Sequence, residues 1–252
     1  MKITLVQFDI QWEDAPANLK KVDQLIRPLK DSDIIILPEM FSTGFSMNAE
    51  SLAEPMGGPT VNEMKKWAGQ LDALIMGSVI IMDKDAYYNR MIAAHPNGQI
   101  NTYDKRHLFS YAGEEKYYSA GEDVEVFTYK DLRILPQICY DVRFPVFSRY
   151  SSKLDYDAIV YVANFPNKRQ YAWEELLKAR AIENEAYVFG VNRTGLDGLG
   201  NYYGGGSQII DYSGKIIVYL SPGEWVRSVE IDIRGLKKFR QAFPFLKDRD
   251  TP

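Results

Sequence analysis

Short, wholly apolar runs alternate along this chain with stretches of helical periodicity. Ile3 to Phe8 is rich in β-branched and apolar residues and predicts a buried strand. Asp14 stands where a helix N-cap belongs, with Pro16 tolerated in the first turn, and Leu19, Val22, Leu25, Ile26 and Leu29 follow at helical spacing. Ile34 to Leu37 is a second apolar strand, ending at Pro38-Glu39. Thr60 and Glu63 form a capping-box pattern that opens a helix through Trp67. Ala73 to Ile80 predicts the next strand, and Tyr87 to Ala94 and Gln99 to Tyr103 predict a hairpin across Pro96-Asn97-Gly98. From Asp104 to Asp123 periodicity disappears, but Phe109, Tyr111, Tyr117 and Tyr118 favour an ordered loop.

The rhythm then repeats. Arg133 to Ile138 predicts a strand ending at Cys139, and Ala158 to Val162 one ending at Asn164-Phe165-Pro166. Tyr171 to Glu185 reads as a helix and Tyr187 to Asn192 as a strand. Gly195 to Gly206 reads as a glycine-rich loop, Ser207 to Ile210 and Lys215 to Leu220 as a hairpin, Trp225 to Ile233 as a last strand and Leu236 to Gln241 as a short helix. No linker or composition break interrupts the pattern, which predicts one domain over 1–252, with a core from about 2 to 245. Buried strands alternating with helices in both halves predict two sheets covered by helices, an α/β fold.

Composition narrows the class of protein. Of the 252 residues, 46% are hydrophobic and 25% charged, as in ordinary globular proteins. The formal charge of −4 argues against a nucleic-acid partner. No apolar run approaches the ~20 residues of a membrane helix, and the N-terminus runs into Gln7 and Asp9 too soon for a secretory signal. One cysteine excludes an intrachain disulfide and, with no signal, points to the cytoplasm; two histidines are too few for a His-rich metal site. No metal or organic cofactor is expected. The glycines of 195–206 do not form a dinucleotide fingerprint, because Tyr203 stands where the third glycine is required.

The single cysteine is the first candidate for chemistry. A lone cysteine is commonly a small buried hydrophobe. Cys139, however, ends an apolar strand and precedes a polar turn, which presents its thiol at the carboxyl edge of a sheet. The backbone N–H of Tyr140 would then be available to an oxyanion. A thiol nucleophile needs a base. His107 is one candidate, giving a Cys–His hydrolase; His95, beside the Pro-Asn-Gly turn, reads as exposed. Glu39 is the other, since it ends a buried strand much as Cys139 does and so suits a group that takes and returns a proton. Lys105 could stabilise an oxyanion near Glu39, with Glu114 holding both in place.

Three segments together, Pro38-Glu39-Met40-Phe41-Ser42-Thr43-Gly44-Phe45, Tyr103-Asp104-Lys105-Arg106-His107-Leu108-Phe109 and Ile138-Cys139-Tyr140-Asp141-Val142-Arg143-Phe144-Pro145, resemble the nitrilase superfamily of carbon–nitrogen hydrolases. The resemblance runs from Lys2 to about Phe245. It implies a four-layer αββα sandwich, pairing into homodimers or higher homo-oligomers, and a catalytic set of Glu39, Lys105 and Cys139 with Glu114 alongside. Glu115 adjoins Glu114 and is the alternative for the second glutamate. Within the superfamily, Tyr161 to Pro166, Trp173 to Leu177, Ala179 to Asn184, Asn192-Arg193-Thr194-Gly195 and Asp197-Gly198 resemble the omega-amidases, also called 2-oxoglutaramate or 2-oxoacid amidases. That implies a small-molecule amide substrate, 2-oxoglutaramate or 2-oxosuccinamate, cleaved to the dicarboxylate and ammonia through a Cys139 thioester. Other carbon–nitrogen hydrolase substrates, N-carbamoyl compounds or simple aliphatic amides, are the alternative. Arg143 and Arg193 are candidate anchors for the substrate carboxylate, and Phe45 and Trp173 candidate pocket walls. A non-catalytic member of the fold would be expected to have lost Glu39, Lys105 or Cys139, and all three are present.

Overall fold

The computed structural model describes residues 1–250. Strands β1 (Lys2–Gln7), β2 (Ile34–Ile36), β3 (Leu74–Asp83), β4 (Ala86–Ala94) and β5 (Ile100–Asp104) form the first sheet. Strands β6 (Phe127–Tyr129), β7 (Leu132–Ile138), β8 (Ala158–Ala163) and β9 (Tyr187–Asn192) begin the second. A separate small hairpin, β10 (Thr194–Leu196) and β11 (Tyr202–Gly204), follows. β12 (Gln208–Ile210) and β13 (Ile216–Tyr219) complete the second sheet beside β9, and β14 (Trp225–Glu230) returns to pair antiparallel with β1. Each sheet has a parallel centre, β1-β2-β3 in one and β7-β8-β9 in the other, with antiparallel strands outside.

Strand alternation sorts the apolar residues into layers. Ile34 and Ile36 face the second sheet, in one core with Leu135, Val160 and Phe189, whereas Ile35 and Leu37 face Val22 and Ile26 of α1 (Ala15–Ile26). The short α2 (Ala49–Leu52) precedes α3 (Pro59–Leu71), whose Val61, Met64 and Trp67 cover the same outer face as α1. After the one-turn α4 (Pro145–Ser148), α5 (Gln170–Asn184) covers the second sheet through Trp173, Leu177 and Ala181; Leu236 of α6 (Ile233–Ala242) joins the same core. Helix, sheet, sheet, helix is the four-layer αββα sandwich. Among the described residues no helix is long and apolar enough to cross a membrane.

Local expectations fail where a distant residue does the work. The Thr60–Glu63 pattern does not cap α3: its N-cap is Gly58 with Pro59 in the first turn, and the Glu54 carboxylate accepts from the Thr60 and Val61 N–H groups, both at 3.1 Å. The glycine-rich stretch 195–206 contains the β10–β11 hairpin rather than loop throughout. The last strand ends at Glu230, because Asp232 caps α6 by accepting from the Gly235 N–H at 2.9 Å. The 104–123 stretch is ordered by 3-10 turns at Ser110–Ala112 and Glu114–Lys116.

Candidate active site

The carboxyl ends of β2, β7 and β8 meet at one edge of the sandwich and deliver three polar side chains to one spot. Glu39 follows β2 and is fully buried. It is held there by the chain reversal at Met40, a left-handed residue at φ +43° whose N–H donates to Ser78 Oγ at 2.8 Å. Cys139 follows β7 on a sharp elbow, going from extended Ile138 at φ −124° to φ +47°. A left-handed non-glycine residue is costly and persists only when its surroundings over-determine it. Here Asp141 does so: its buried carboxylate accepts from the Ile138 N–H at 2.9 Å, the Tyr103 hydroxyl at 2.7 Å and the His107 N–H at 3.0 Å. Tyr140 follows Cys139 in the first turn of a 3-10 helix, where backbone N–H groups have no partner within the helix.

Lys105, just past β5, joins the two carboxylates. Its Nζ donates to Glu39 Oε1 at 3.0 Å and to Glu114 Oε1 and Oε2 at 3.0 and 2.9 Å, with all three side chains fully buried. Glu114 also accepts from the Phe109 N–H at 2.5 Å, which fixes the turn that carries it. Glu115 is exposed, so the second glutamate of the cluster is Glu114. Burial disfavours the Lys105 ammonium, but the charges of Glu114 and Glu39 outweigh that cost and hold its pKa above the ordinary lysine value. Burial raises the Glu114 carboxyl, and Lys105 only partly pulls it back. The Cys139 thiol is pushed well above its ordinary value, by burial first and then by the Glu39 charge, against the pull of Lys105. Raised in this way, the thiol gives up its proton less readily than an ordinary cysteine.

Two asparagines complete the cluster, and neither is among the residues the sequence singles out for chemistry. Asn89, inside β4, donates from Nδ2 to Glu39 Oε1 at 2.7 Å. Asn164, just past β8, donates its N–H to Glu39 Oε2 at 2.7 Å and its Nδ2 to the Glu39 carbonyl at 2.5 Å. Asn164 stands at a strand end, the position that singled out Glu39 and Cys139, and could have been found by that rule.

A cavity of about 200 Å³ opens above the thiol, with Lys105, Cys139, Tyr140 and Asn164 in its lining. Phe45 and Arg143 are also in its lining, with Lys168 and Arg169. Trp173 does not line it: its indole is fully buried under the second sheet, donates to the Gly206 carbonyl at 2.9 Å and packs against Phe165. Arg193 does not line it either. Fully buried, it pairs with Asp9 at 2.8 Å, donates to the Ile10 and Leu196 carbonyls, and lies over the Tyr203 ring; it fastens the β10–β11 hairpin to the first sheet. His107 is turned from the thiol to Asp141, with Nδ1 2.8 Å from Oδ1 and its ring stacked 3.9 Å from Phe144. His95 is buried rather than exposed, bonded to Asn101 at 2.8 Å. Among the described residues no cluster of three or more His, Cys, Asp or Glu is placed to hold a metal ion.

The chain has known relatives. The family model described as carbon-nitrogen hydrolase matches residues 2–241. The chain belongs to the carbon–nitrogen hydrolase family. Among proteins of this nitrilase superfamily, it is 45% identical to the omega-amidase YafV of Yersinia enterocolitica over 99% of this chain and 97% of that protein. It is 33% identical to a 2-oxoglutaramate amidase of Bacillus subtilis (strain 168), over 98% and 96% of the two chains. The crystal structure of XC1258 from Xanthomonas campestris, described as a CN-hydrolase superfamily protein with an arsenic adduct in the active site, superposes with a TM-score of 0.97. That protein is 41% identical, and the match covers 100% of this chain and 98% of that one. The one cysteine of the chain lines the cavity described above.

Proposed function

We propose that the protein is an omega-amidase: it hydrolyses the terminal amide of a short 2-oxo acid, 2-oxoglutaramate or 2-oxosuccinamate, to the dicarboxylate and ammonia. The observation that carries the reading is the thiol of Cys139 on a strained elbow, floored by the buried Glu39–Lys105–Glu114 cluster and open to a small cavity. The names of the relatives supply the substrate class. Arg143 at the cavity supplies a cation for a substrate carboxylate.

In this reading Glu39 takes the Cys139 proton as sulfur attacks the amide carbon. Lys105 and the Tyr140 N–H meet the oxyanion, where one such donor typically contributes ~2.7–4 kcal/mol. Glu39 then protonates the departing ammonia, leaving a thioester, and activates the water that hydrolyses it. Glu114 is a positioning residue that keeps Lys105 against Glu39. The paired state of the superfamily and the cytoplasm are the setting we infer, the latter because a single free thiol stays reduced there.

Ammonia release from 2-oxoglutaramate, measured beside N-carbamoyl compounds, nitriles and simple amides, tests the substrate class. A preference for the 2-oxo amide is expected, and indifference across the panel refutes it. Mass spectrometry of Cys139 acylation in Lys105→Ala and His107→Ala tests the machinery. Acylation that survives Lys105→Ala but not His107→Ala would mean a Cys–His enzyme instead.

A further inference from the structure

Besides Lys105, which is paired with Glu39 and Glu114, the cavity carries three cations, Arg143, Lys168 and Arg169, and one lining acid, Asp197, that is already engaged. Asp197 accepts from the Leu199 and Asn201 N–H groups, the Asn201 amide and the Tyr203 hydroxyl, all at 2.8–2.9 Å. Arg169 is held differently from the arginines of the body of the fold. Arg90, Arg133, Arg180, Arg193 and Arg240 each pair with an acid. Arg169 instead lies over aromatic rings, with its guanidinium carbon 4.9 Å from the centre of Phe109, 6.0 Å from Tyr111 and 6.0 Å from Phe165. Ring faces attract the cation without occupying its in-plane N–H donors, and among the described residues the Arg169 guanidinium has no hydrogen-bond partner. Arg143 approaches the same Phe165 ring at 5.8 Å, so two planar forks flank one wall.

We propose that Arg169 is a specificity-determining residue. It binds the far carboxylate of the substrate, and Arg143 on the same wall completes the contact with the carboxylate and neighbouring 2-oxo oxygen. The position follows from the chain: β8 ends at Ala163, Pro166 caps the 3-10 turn Asn167–Arg169, and that turn leads directly into α5, whose start fixes where the side chain leaves the backbone. This inference rests on the amidase reading for its substrate, but the requirement for an anionic far end comes from the three cations themselves, which pair with no acid among the described residues.

The test uses the full chain and two readouts. The first is protection of Cys139 from iodoacetamide by 2-oxoglutarate, which requires no turnover. The half-protecting concentration is expected to rise at least tenfold in Arg169→Met, to recover in part in Arg169→Lys, and to rise by a smaller factor in Phe109→Leu, which removes the supporting ring but not the charge. The second is the ratio of kcat/KM for 2-oxoglutaramate to that for butanamide, expected to fall at least tenfold in Arg169→Met, through KM rather than kcat. Failure of 2-oxoglutarate to protect the unaltered protein, unchanged protection in Arg169→Met, or an equal loss on both amides each overturns the assignment. Arg169-dependent protection in a protein that does not cleave 2-oxoglutaramate would keep the anion site and remove the amidase reading.

Discussion

Asn164 holds Glu39 from both sides: its backbone N–H donates to the carboxylate at 2.7 Å and its side-chain amide to the Glu39 carbonyl at 2.5 Å. Glu39 follows a strand of the first sheet and Asn164 a strand of the second, so these two bonds tie the sheets together where the cluster forms. Asn164→Ala leaves the Glu39 carbonyl buried without its donor, a loss of about 1–3 kcal/mol. Urea unfolding should show a destabilisation of that order. Activity should fall further than stability explains, by about 10²-fold for a misplaced reacting group. An active, merely destabilised variant would mean that the bridge supports the fold and not the geometry of Glu39.

Glu39→Gln separates the base from the electrostatics of the thiol. A general base typically contributes about 10²–10⁴-fold, so turnover should drop by that factor. The thiol should respond in the opposite sense. After burial, the Glu39 charge is the strongest influence raising the Cys139 pKa, and removing it stabilises the thiolate beside Lys105. The pH at which iodoacetamide alkylation rises should therefore move down in Glu39→Gln, while hydrolysis is lost. An alkylation limb that moves up would show that Glu39 does not face the thiol as a carboxylate.

Lys105→Met should be severe for a different reason. It leaves two carboxylates buried and facing each other without their cation, and breaking a buried pair in this way costs about 3–5 kcal/mol. Adding Glu114→Gln removes one of the stranded charges, so the double variant should be more stable than Lys105→Met alone yet no more active. The sign of the pH dependence follows from the raised lysine pKa. The contribution of Lys105 to stability is complete below its ordinary value of 10.5 and is lost progressively as pH rises from there through the higher folded value. Stability lost between pH 7 and 9 in the unaltered protein, and preserved in Lys105→Met, would contradict this.

The legible parts of the site are those where an apolar run leaves one geometric option. Ile34-Ile35-Ile36-Leu37 and Ile134-Leu135-Pro136-Gln137-Ile138 are buried, so Glu39 and Cys139 emerge at a sheet edge wherever the sheets lie. Lys105 and Glu114 lie outside such runs, so their charge makes them candidates but no pattern places them; the fold does, by a 3-10 turn that brings residues nine apart together. Asn89 was hidden because a polar residue inside a strand ordinarily marks the wet face, whereas here it faces Glu39. Trp173 and Arg193 were misplaced for a related reason. Size and charge suggest a pocket, but the face of α5 and the ion pair with Asp9, distant by 184 residues, are set by packing that no local pattern encodes.

His107 and Asp141 provide the discriminating pair. Were His107 the base, its loss would end acylation; as a support for Asp141, it contributes one of several donors to a carboxylate that shapes the elbow. His107→Ala removes the imidazole contact at 2.8 Å and the stack on Phe144 but leaves the His107 backbone N–H in place. It should cost about 1 kcal/mol for a net hydrogen bond and leave Cys139 acylation within about tenfold. Asp141→Ala strands the Tyr103 hydroxyl and the Ile138 and His107 N–H groups, each worth about 1–3 kcal/mol when buried unpaired. Without them, the left-handed backbone at Cys139 should relax. Acylation in Asp141→Ala should accordingly fall well below that of His107→Ala. The reverse order, with His107→Ala the more damaging, would return the histidine to the chemistry.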